Sequence, residues 1–446
     1  MRLLTAALSL LVTAALATPA SAAPPDPQAD LQNMADSYGR ITGEGGQLQN
    51  PAYLPALVAA TTGRYVEQLL TQVASPLRLS LTAGNLVPGW NVGNPLRAGW
   101  TDTRGRSQRV AFTNRYGALL RGTVWRPLPD ARDPYTGKKL QGPFPGVVIT
   151  TGSIQGSQGM YEWLAQDLAE RGYVVLTYDV QGQGTSETLP HEDSPLNQPM
   201  VPFCNPLDCH GVPSQQLGNF TTGTEDALDF FVSDPKHQYP NENSAGASAT
   251  SPYNPFWRSY DAEPVAIIGH SLGATAVSQV QGTDRRVATV VALDKLSSDG
   301  AEPRVPALAI QSEYFFEPTP AAEQPDPGRE RATGYDAWKR AGLDTMLVVP
   351  RASTHLEYTD IPLVLPASRY GQALTSVYVQ RWLGHYLKSR PAAPLLDTTF
   401  RYLEPVGNGR WEPVTLRRAD LLSGYYCSAY SLDGLGENGD IADVGC

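Results

Sequence analysis

The chain has 446 residues, of which 41% are hydrophobic and 17% charged. This is the composition of a globular protein with ample apolar material for a core, and its length allows one large domain with insertions. A formal net charge of −10, without a basic patch, excludes nucleic acid and anionic membrane surfaces as expected partners.

The first 22 residues predict a signal peptide. Arg2 precedes an apolar run over residues 3–16, and the small residues 20–22 follow, so cleavage is expected after Ala22. The run is shorter than the roughly 20 residues that a membrane-spanning helix needs. We therefore expect a secreted, extracellular protein with no stable membrane insertion; no pattern predicts its oligomeric state.

Residues 23–106 are rich in Gly, Pro and polar side chains, with one helical pattern around residues 54–73. They are predicted to form an N-terminal extension rather than a separate catalytic module. Strand signals begin after it, where β-branched and aromatic residues alternate over 108–113 and 118–125. These two runs, separated by a short turn, predict a β-hairpin.

Short apolar runs then alternate with helical patterns, which predicts parallel strands joined by right-handed crossovers. The further predicted strands are 146–150, 173–178, 265–268, 288–292, 307–310 and 345–349. The predicted helices are 161–170, 224–231, one starting near residue 274, and 374–386, which closes the series. We expect an α/β fold over 107–390, with a mostly parallel central sheet flanked by helices. A long insertion over about 182–263 follows the fourth strand, and 391–446 form a C-terminal extension.

Four cysteines in an exported chain favour disulfides. Proximity in the sequence predicts the pairs Cys204 with Cys209 and Cys427 with Cys446. A metal site could use Cys204, Cys209 and His210, but no second ligand pair with zinc spacing follows. No metal is therefore predicted.

Residues 269–273 carry the clearest chemical signal. They read Gly-His-Ser-Leu-Gly, follow the apolar run 265–268 and precede a predicted helix, which is the context of a nucleophile elbow. The serine of such an elbow takes a strained backbone conformation, and the flanking glycines are expected because a Cβ would collide with neighbouring backbone. Ser271 is the predicted nucleophile.

A serine hydroxyl needs a base to take its proton. Of the six histidines, His355 alone stands just past the last predicted strand, where a loop can place its ring over the elbow. His270 belongs to the elbow, with its side chain expected to point elsewhere, and His385 lies in the final predicted helix. His355 is the predicted general base.

The acid that orients the histidine has two candidates. Asp294 stands at the end of the sixth predicted strand, and Glu313 follows the seventh, two residues before Phe315. Phe315 occupies the position where the acid is most common. We favour Asp294, whose strand end is a rigid platform, and keep Glu313 as the alternative; the carboxylate not used would pin a loop.

An oxyanion formed at Ser271 needs two N–H donors. One is expected to be the backbone N–H of Leu272, the residue after the nucleophile. The other is expected from the loop after the third strand, residues 150–156, where Gly152 gives freedom to turn the N–H of Ser153 inward.

The elbow, the turn 178–184 after the fourth strand and the late His355 together resemble the α/β-hydrolase superfamily over roughly 108–389. The resemblance implies the α/β-hydrolase fold, with 107–390 as the catalytic domain.

Residues 150–163 and 173–179 are similar to bacterial secreted cutinase-like polyester hydrolases and triacylglycerol lipases. Those enzymes have an aromatic residue where Ser153 stands and an Asp where Phe315 stands. The elbow followed by Asp294 is similar to pancreatic-type lipases, whose acid follows the sixth strand.

The leading hypothesis is a secreted serine esterase or lipase that acts on a small-molecule or polymeric ester through an acyl-enzyme. No cofactor is predicted, because Gly182-Gln183-Gly184 lacks the remaining spacing of a dinucleotide-binding loop. A peptidase or amidase with the same triad is the first alternative. A catalytically silent binding protein that retains the elbow is the second.

Overall fold

The computed structural model describes residues 47–82, 92–153, 156–190, 215–244, 249–314, 327–360 and 369–445, with three isolated residues before them. The predicted signal peptide lies outside the described residues, as do Cys204, Cys209, His210, Phe315 and Cys446.

The described strands run through the whole chain. They are β1 (Gly105–Thr113), β2 (Leu119–Pro127), β3 (Phe144–Thr150), β4 (Val174–Tyr178), β5 (Tyr260–His270), β6 (Val287–Leu293), β7 (Ala307–Ile310), β8 (Thr345–Val348), β9 (Thr399–Gly407), β10 (Arg410–Arg417), β11 (Ala429–Leu432) and β12 (Gly436–Asn438). The described α-helices are α1 (Tyr53–Ala74), α2 (Glu162–Ala169), α3 (Leu217–Phe231), α4 (Leu272–Thr283), α5 (Pro327–Thr333), α6 (Tyr335–Arg340), α7 (Arg369–Lys388) and α8 (Arg418–Leu421).

Ten of these strands form one sheet in the order β1-β2-β4-β3-β5-β6-β7-β8-β11-β12. The six strands from β4 to β8 are parallel, and an antiparallel pair of strands extends the sheet at each side. Strands β9 and β10 form a separate antiparallel hairpin. This mostly parallel sheet with helices on both faces is the α/β-hydrolase fold, which confirms the predicted fold class.

Alternating side chains of the central strands enter two separate apolar cores. In β3, Val147 and Ile149 pack with helices α2 and α7, whereas Val148 packs with α3, α4 and α6 on the other face. All three side chains are at most 1% exposed. Helices that cover both faces explain why the strands consist of nearly continuous apolar residues.

The predicted β-hairpin and the alternating strands and helices are confirmed, with one clear error. We expected the series to close at the helix over 374–386, but β11 and β12 follow it and join the main sheet. Ala429 in β11 pairs with Leu347 in β8. These strands have four and three residues, too short to give a periodic signal.

The helix predicted over 224–231 begins earlier, at Leu217. Within the part of the chain that the structure describes, no helix combines the length and the apolar character needed to cross a membrane.

Candidate active site

Four of the predicted site residues lie at the carboxyl edge of the parallel strands. Ser271 follows β5, Asp294 follows β6, and Glu313 and His355 come after β7 and β8. Because neighbouring parallel strands end at the same edge, residues more than 80 positions apart in the chain meet there.

Ser271 lies between β5 and α4 in a strained backbone conformation, with φ 56° and ψ −122°. A Cβ on Gly269 would lie 2.2 Å from the carbonyl oxygen of Gly273, and one on Gly273 would lie 2.3 Å from the carbonyl oxygen of Thr151. Both glycines are therefore required by close backbone approach. The local geometry is that of the expected strand-turn-helix elbow.

His355 contacts Ser271 and Asp294 through its two ring nitrogens. Its Nε2 lies 2.8 Å from Oγ of Ser271, and its Nδ1 lies 2.6 Å from Oδ2 of Asp294. A carboxylate only accepts hydrogen bonds, so Nδ1 carries the proton and the Nε2 of the neutral ring can accept the serine proton. The side chains of His355 and Asp294 are largely buried, at 10% and 4% exposure.

The carboxylate of Asp294 is held by a second residue, Ser312. The backbone N–H of Ser312 donates to Oδ1 over 2.9 Å, and its hydroxyl donates to Oδ2. Burial by itself raises the pKa of Asp294, but the hydrogen bonds from His355 and Ser312 outweigh it and hold the pKa below its usual value. Asp294 is therefore ionised and can stabilise a positive charge on His355.

Glu313, the alternative acid, makes a different contact. Its Oε2 accepts a 2.9 Å hydrogen bond from the backbone N–H of Ala352, in the loop that leads to His355. Its own backbone N–H donates to Oγ of Ser353. Of the two carboxylates left open by the sequence, Asp294 is the one that contacts Nδ1 of His355, and Glu313 fastens the loop.

The two residues predicted as oxyanion donors lie in the elbow and in the loop after β3. Leu272 is the first residue of α4, and the N–H of a first helical residue has no acceptor within its helix. Ser153 follows Gly152, which packs against the elbow so closely that a Cβ on it would lie 3.3 Å from Cβ of Ser271. The loop after β3 thus borders Ser271, and the role of Leu272 and Ser153 as oxyanion donors stays a prediction.

Sequence reasoning missed three buried residues of this corner. Ser312 supports Asp294, and Tyr161 and His270 form a hydrogen-bonded bridge beneath His355. A polar residue two positions after an apolar strand was the available signal for Ser312. The bridge left no local signal, because its members lie 109 positions apart.

The structure describes Cys427, which is buried. The other three cysteines lie outside the described residues, so both disulfides stay predictions. No group of His, Cys, Asp or Glu side chains that could hold a metal ion occurs among the described residues.

Comparisons with known proteins give little beyond this geometry. No protein-family model and no curated protein sequence matches the chain. Among solved structures, a ferulic acid esterase from Streptomyces cinnamoneus aligns over 66% of this chain and 92% of its own length, with 19% identity. Its TM-score is 0.40, so the assignment of the α/β-hydrolase fold depends on the strand order and the elbow described above.

Proposed function

We propose that the protein is a serine hydrolase that cleaves carboxylic esters through an acyl-enzyme, with Ser271 as nucleophile, His355 as general base and Asp294 as the orienting acid. The supporting observation is the continuous contact from Ser271 through His355 to Asp294, with distances of 2.8 and 2.6 Å. A serine on a strained elbow, joined to a base that is itself oriented, is the arrangement that nucleophilic catalysis requires.

In acylation, Oγ of Ser271 attacks the ester carbonyl carbon while its proton moves to Nε2 of His355. The carbonyl oxygen becomes an oxyanion, which the N–H groups of Leu272 and Ser153 are proposed to stabilise. His355 then gives its proton to the departing alkoxide, and the alcohol leaves. The acyl group stays on Ser271.

In deacylation, His355 takes a proton from water as the water oxygen attacks the acyl carbon. The second oxyanion collapses, the bond to Oγ breaks, and His355 returns the proton to Ser271. Asp294 remains ionised in both halves and stabilises the imidazolium form of His355. The products are a carboxylic acid and an alcohol.

Esters are the proposed substrates because an ester carbonyl is more electrophilic than an amide carbonyl, and an alkoxide leaves more readily than an amide anion. A triad able to cleave amides therefore also cleaves activated esters, so ester hydrolysis is the activity that this geometry supports in either case. The preference between the two is settled by comparing p-nitrophenyl esters with matched p-nitroanilides. Esters of increasing acyl length, from acetate upward, then define the acyl site.

The test of the proposal combines turnover with covalent labelling. The wild-type protein should hydrolyse p-nitrophenyl esters and should react with a fluorophosphonate probe at one site, identified by mass spectrometry as Ser271. Ser271→Ala is the matched control and should do neither. A folded wild-type protein that shows neither turnover nor labelling would overturn the proposal.

We also propose that the chain is exported, on the basis of the apolar run 3–16 and the small residues 20–22. N-terminal sequencing of the protein from the culture medium should start at Ala23. Recovery of the full-length chain inside the cell alone would contradict export.

A further inference from the structure

Tyr161 and His270 connect two parts of the candidate site that are distant in the sequence. Nδ1 of His270 lies 2.7 Å from the hydroxyl oxygen of Tyr161, and its Nε2 lies 2.8 Å from the carbonyl oxygen of His355. The hydroxyl of Tyr161 in turn accepts a 3.0 Å hydrogen bond from the backbone N–H of Gly152. Both bridging side chains are at most 3% exposed.

The hydrogen-bond partners in this bridge assign a place to each of its protons. The carbonyl oxygen of His355 can only accept, so Nε2 of His270 carries a proton. Burial, assisted by the neighbouring His355, lowers the pKa of His270 to about 3, so its ring is neutral and Nδ1 has a free lone pair. Tyr161 therefore donates its proton to Nδ1.

The direction of each hydrogen bond in the bridge follows from these proton positions. Gly152 donates to Tyr161, Tyr161 donates to His270, and His270 donates to the main chain of His355. Burial raises the pKa of Tyr161, so its hydroxyl keeps the proton that the bridge needs. No member can change its hydrogen-bonding role without leaving a buried polar atom without a partner.

The bridge joins the loop proposed to stabilise the oxyanion to the residue proposed as general base. A Cβ on Gly152 would lie 2.8 Å from Nδ1 of His270 and 3.2 Å from the hydroxyl of Tyr161. The loop that carries Ser153 therefore lies directly on the bridge. A small displacement of either end would change the distances among donor, nucleophile and base.

We propose that Tyr161 and His270 are positioning residues that hold the oxyanion loop and the main chain of His355 in a fixed relation to Ser271. This inference rests on the proposed ester hydrolysis. Both residues are buried, and their role in this proposal is exerted through Gly152 and His355. Misplacement of reacting groups by about 1 Å costs on the order of 100-fold in rate, and so the bridge should affect kcat rather than KM.

The first test is Tyr161→Phe, which removes one hydroxyl and leaves the ring in place. We expect kcat on a p-nitrophenyl ester to fall roughly 10- to 100-fold, with KM within about twofold of the wild-type value. The rate of fluorophosphonate labelling should fall in parallel.

Tyr358→Phe is the matched control. The rings of Tyr161 and Tyr358 both lie 5.7 Å from the ring of His270, and the hydroxyl of Tyr358 is buried without a hydrogen-bond partner among the described residues. This variant should keep the wild-type kcat. Equal kcat values in Tyr161→Phe and Tyr358→Phe would overturn the inference.

Two changes at His270 separate positioning from packing. His270→Gln can still donate from its amide to the carbonyl of His355, whereas His270→Leu cannot donate at all. His270→Gln should therefore have a kcat much closer to the wild-type value than His270→Leu has, although the two variants should have similar thermal stability. Equal losses in both would show that the ring only fills space.

Hydrogen exchange distinguishes failure of this inference from failure of the proposed function. In Tyr161→Phe, peptides that contain Gly152 and His355 should lose protection together, whether or not the protein has esterase activity; Tyr358→Phe should leave them unchanged. Unchanged protection in Tyr161→Phe overturns the bridge. Absence of wild-type turnover and labelling, with the exchange result as expected, overturns only the ester hydrolase.

Discussion

Polar side chains are buried in two regions of this molecule for different reasons. In the corner around Ser271, Ser312, Asp294 and His355 form a chain of hydrogen bonds that ends at the hydroxyl of Ser271. In the extended segment 77–82, which follows α1, buried polar groups attach a piece of the N-terminal chain to the turn after β4. The two regions bury similar atoms, but only the corner has a serine on a strained backbone whose hydroxyl contacts an imidazole nitrogen.

The extended segment reverses the usual relation between polarity and burial. Its exposed side chains are Leu77, Leu79 and Leu81, which are 80%, 39% and 56% exposed. Its buried side chains are the polar residues Arg78, Ser80 and Thr82, which are 2%, 6% and 3% exposed. Polar contacts, not apolar packing, hold this segment.

Several of these contacts reach the turn after β4. The hydroxyls of Ser80 and Thr82 both donate to the carbonyl oxygen of Gly184, and Arg78 forms a 2.7 Å ion pair with Glu187. An arginine stays charged at all physiological pH values and cannot act as a base. Changes in the corner should therefore remove activity without unfolding, and changes in the segment should cost stability without altering kcat.

The largest expected effect is in the corner. Ser271→Ala should lower kcat by on the order of a millionfold, because the bond-forming oxygen is lost. Its melting temperature should stay close to that of the wild-type protein, since the hydroxyl packs against little. Ester turnover and calorimetry check both parts, and more than a tenth of wild-type activity would rule out Ser271 as nucleophile.

A pair of variants tests the choice of acid within the corner. Asp294→Asn should fold and lose roughly four orders of magnitude in kcat, because the amide favours the wrong tautomer of His355. Glu313→Gln should cost far less, since a neutral amide oxygen can still accept from Ala352. If Glu313→Gln loses its activity while Asp294→Asn keeps near-normal activity, the orienting acid is Glu313 and not Asp294.

The extended segment should respond in the opposite way. Arg78→Met leaves Glu187 buried without its cation and should cost about 3 to 5 kcal/mol of stability, with kcat of the folded enzyme within about twofold of wild type. Adding Glu187→Gln removes the uncompensated charge and should recover part of the loss. Denaturant midpoints measure the stability, and a large fall in kcat would show that the two regions are not independent.

The stability of the protein should depend on pH through Glu162, which lies near α1. Glu162 lines a cavity of about 530 Å³ beneath α1, and burial raises its pKa to about 7. A raised carboxyl pKa means that the folded state binds the proton more tightly than the unfolded state, so stability should fall as the pH rises from about 5 to 8.

The glutamine of Glu162→Gln has no carboxyl proton to lose. This variant should therefore lose less stability than the wild type as the pH rises from about 5 to 8. The variant should match the wild type at pH 5 and exceed it at pH 8 by on the order of 1 to 3 kcal/mol. Melting temperatures at the two pH values provide the measurement. If the melting temperatures of the variant and the wild type differ by the same amount at pH 5 and at pH 8, Glu162 is excluded as the titrating group.

The smallest effect is expected on the outer face of α1. Leu70 is 65% exposed, so Leu70→Ser should change stability by no more than about 0.5 kcal/mol. Leu164, which is fully buried in α2, is the matched core position, and Leu164→Ala should cost about 2 to 5 kcal/mol. Similar losses at both leucines would mean that α1 is covered in solution.

The central sheet could be read from the sequence because each strand is a local apolar run. The strand over 307–310 has the predicted bounds, and the strand over 345–348 differs by one residue. The elbow was equally local, since the strand, the two glycines and the helix all lie within 265–283. The short strands β11 and β12 were missed because β11 joins the sheet by pairing with β8, about 80 positions earlier in the chain, and β12 pairs only with β11.

The choice between Asp294 and Glu313 shows where sequence reasoning stopped. Both residues follow neighbouring strands, and pairing of Leu293 with Ile310 determines which carboxylate lies level with His355. The backbone N–H of Asp294 donates to the carbonyl of Ile310, which fixes its side chain at the strand end. The register between strands is a tertiary property. The sequence alone could therefore only rank Asp294 above Glu313 as the acid.

The sequence by itself determined the α/β order of elements, the elbow at Ser271 and the position of His355 after the last parallel strand, because each depends on residues within a few positions of one another. The tertiary structure decided which acid contacts His355, which polar residues of the N-terminal segment are buried, and that Tyr161 and His270 connect the loop of Gly152 to His355. Those contacts join side chains far apart in the chain, and their geometry is set by how the sheet and its loops pack.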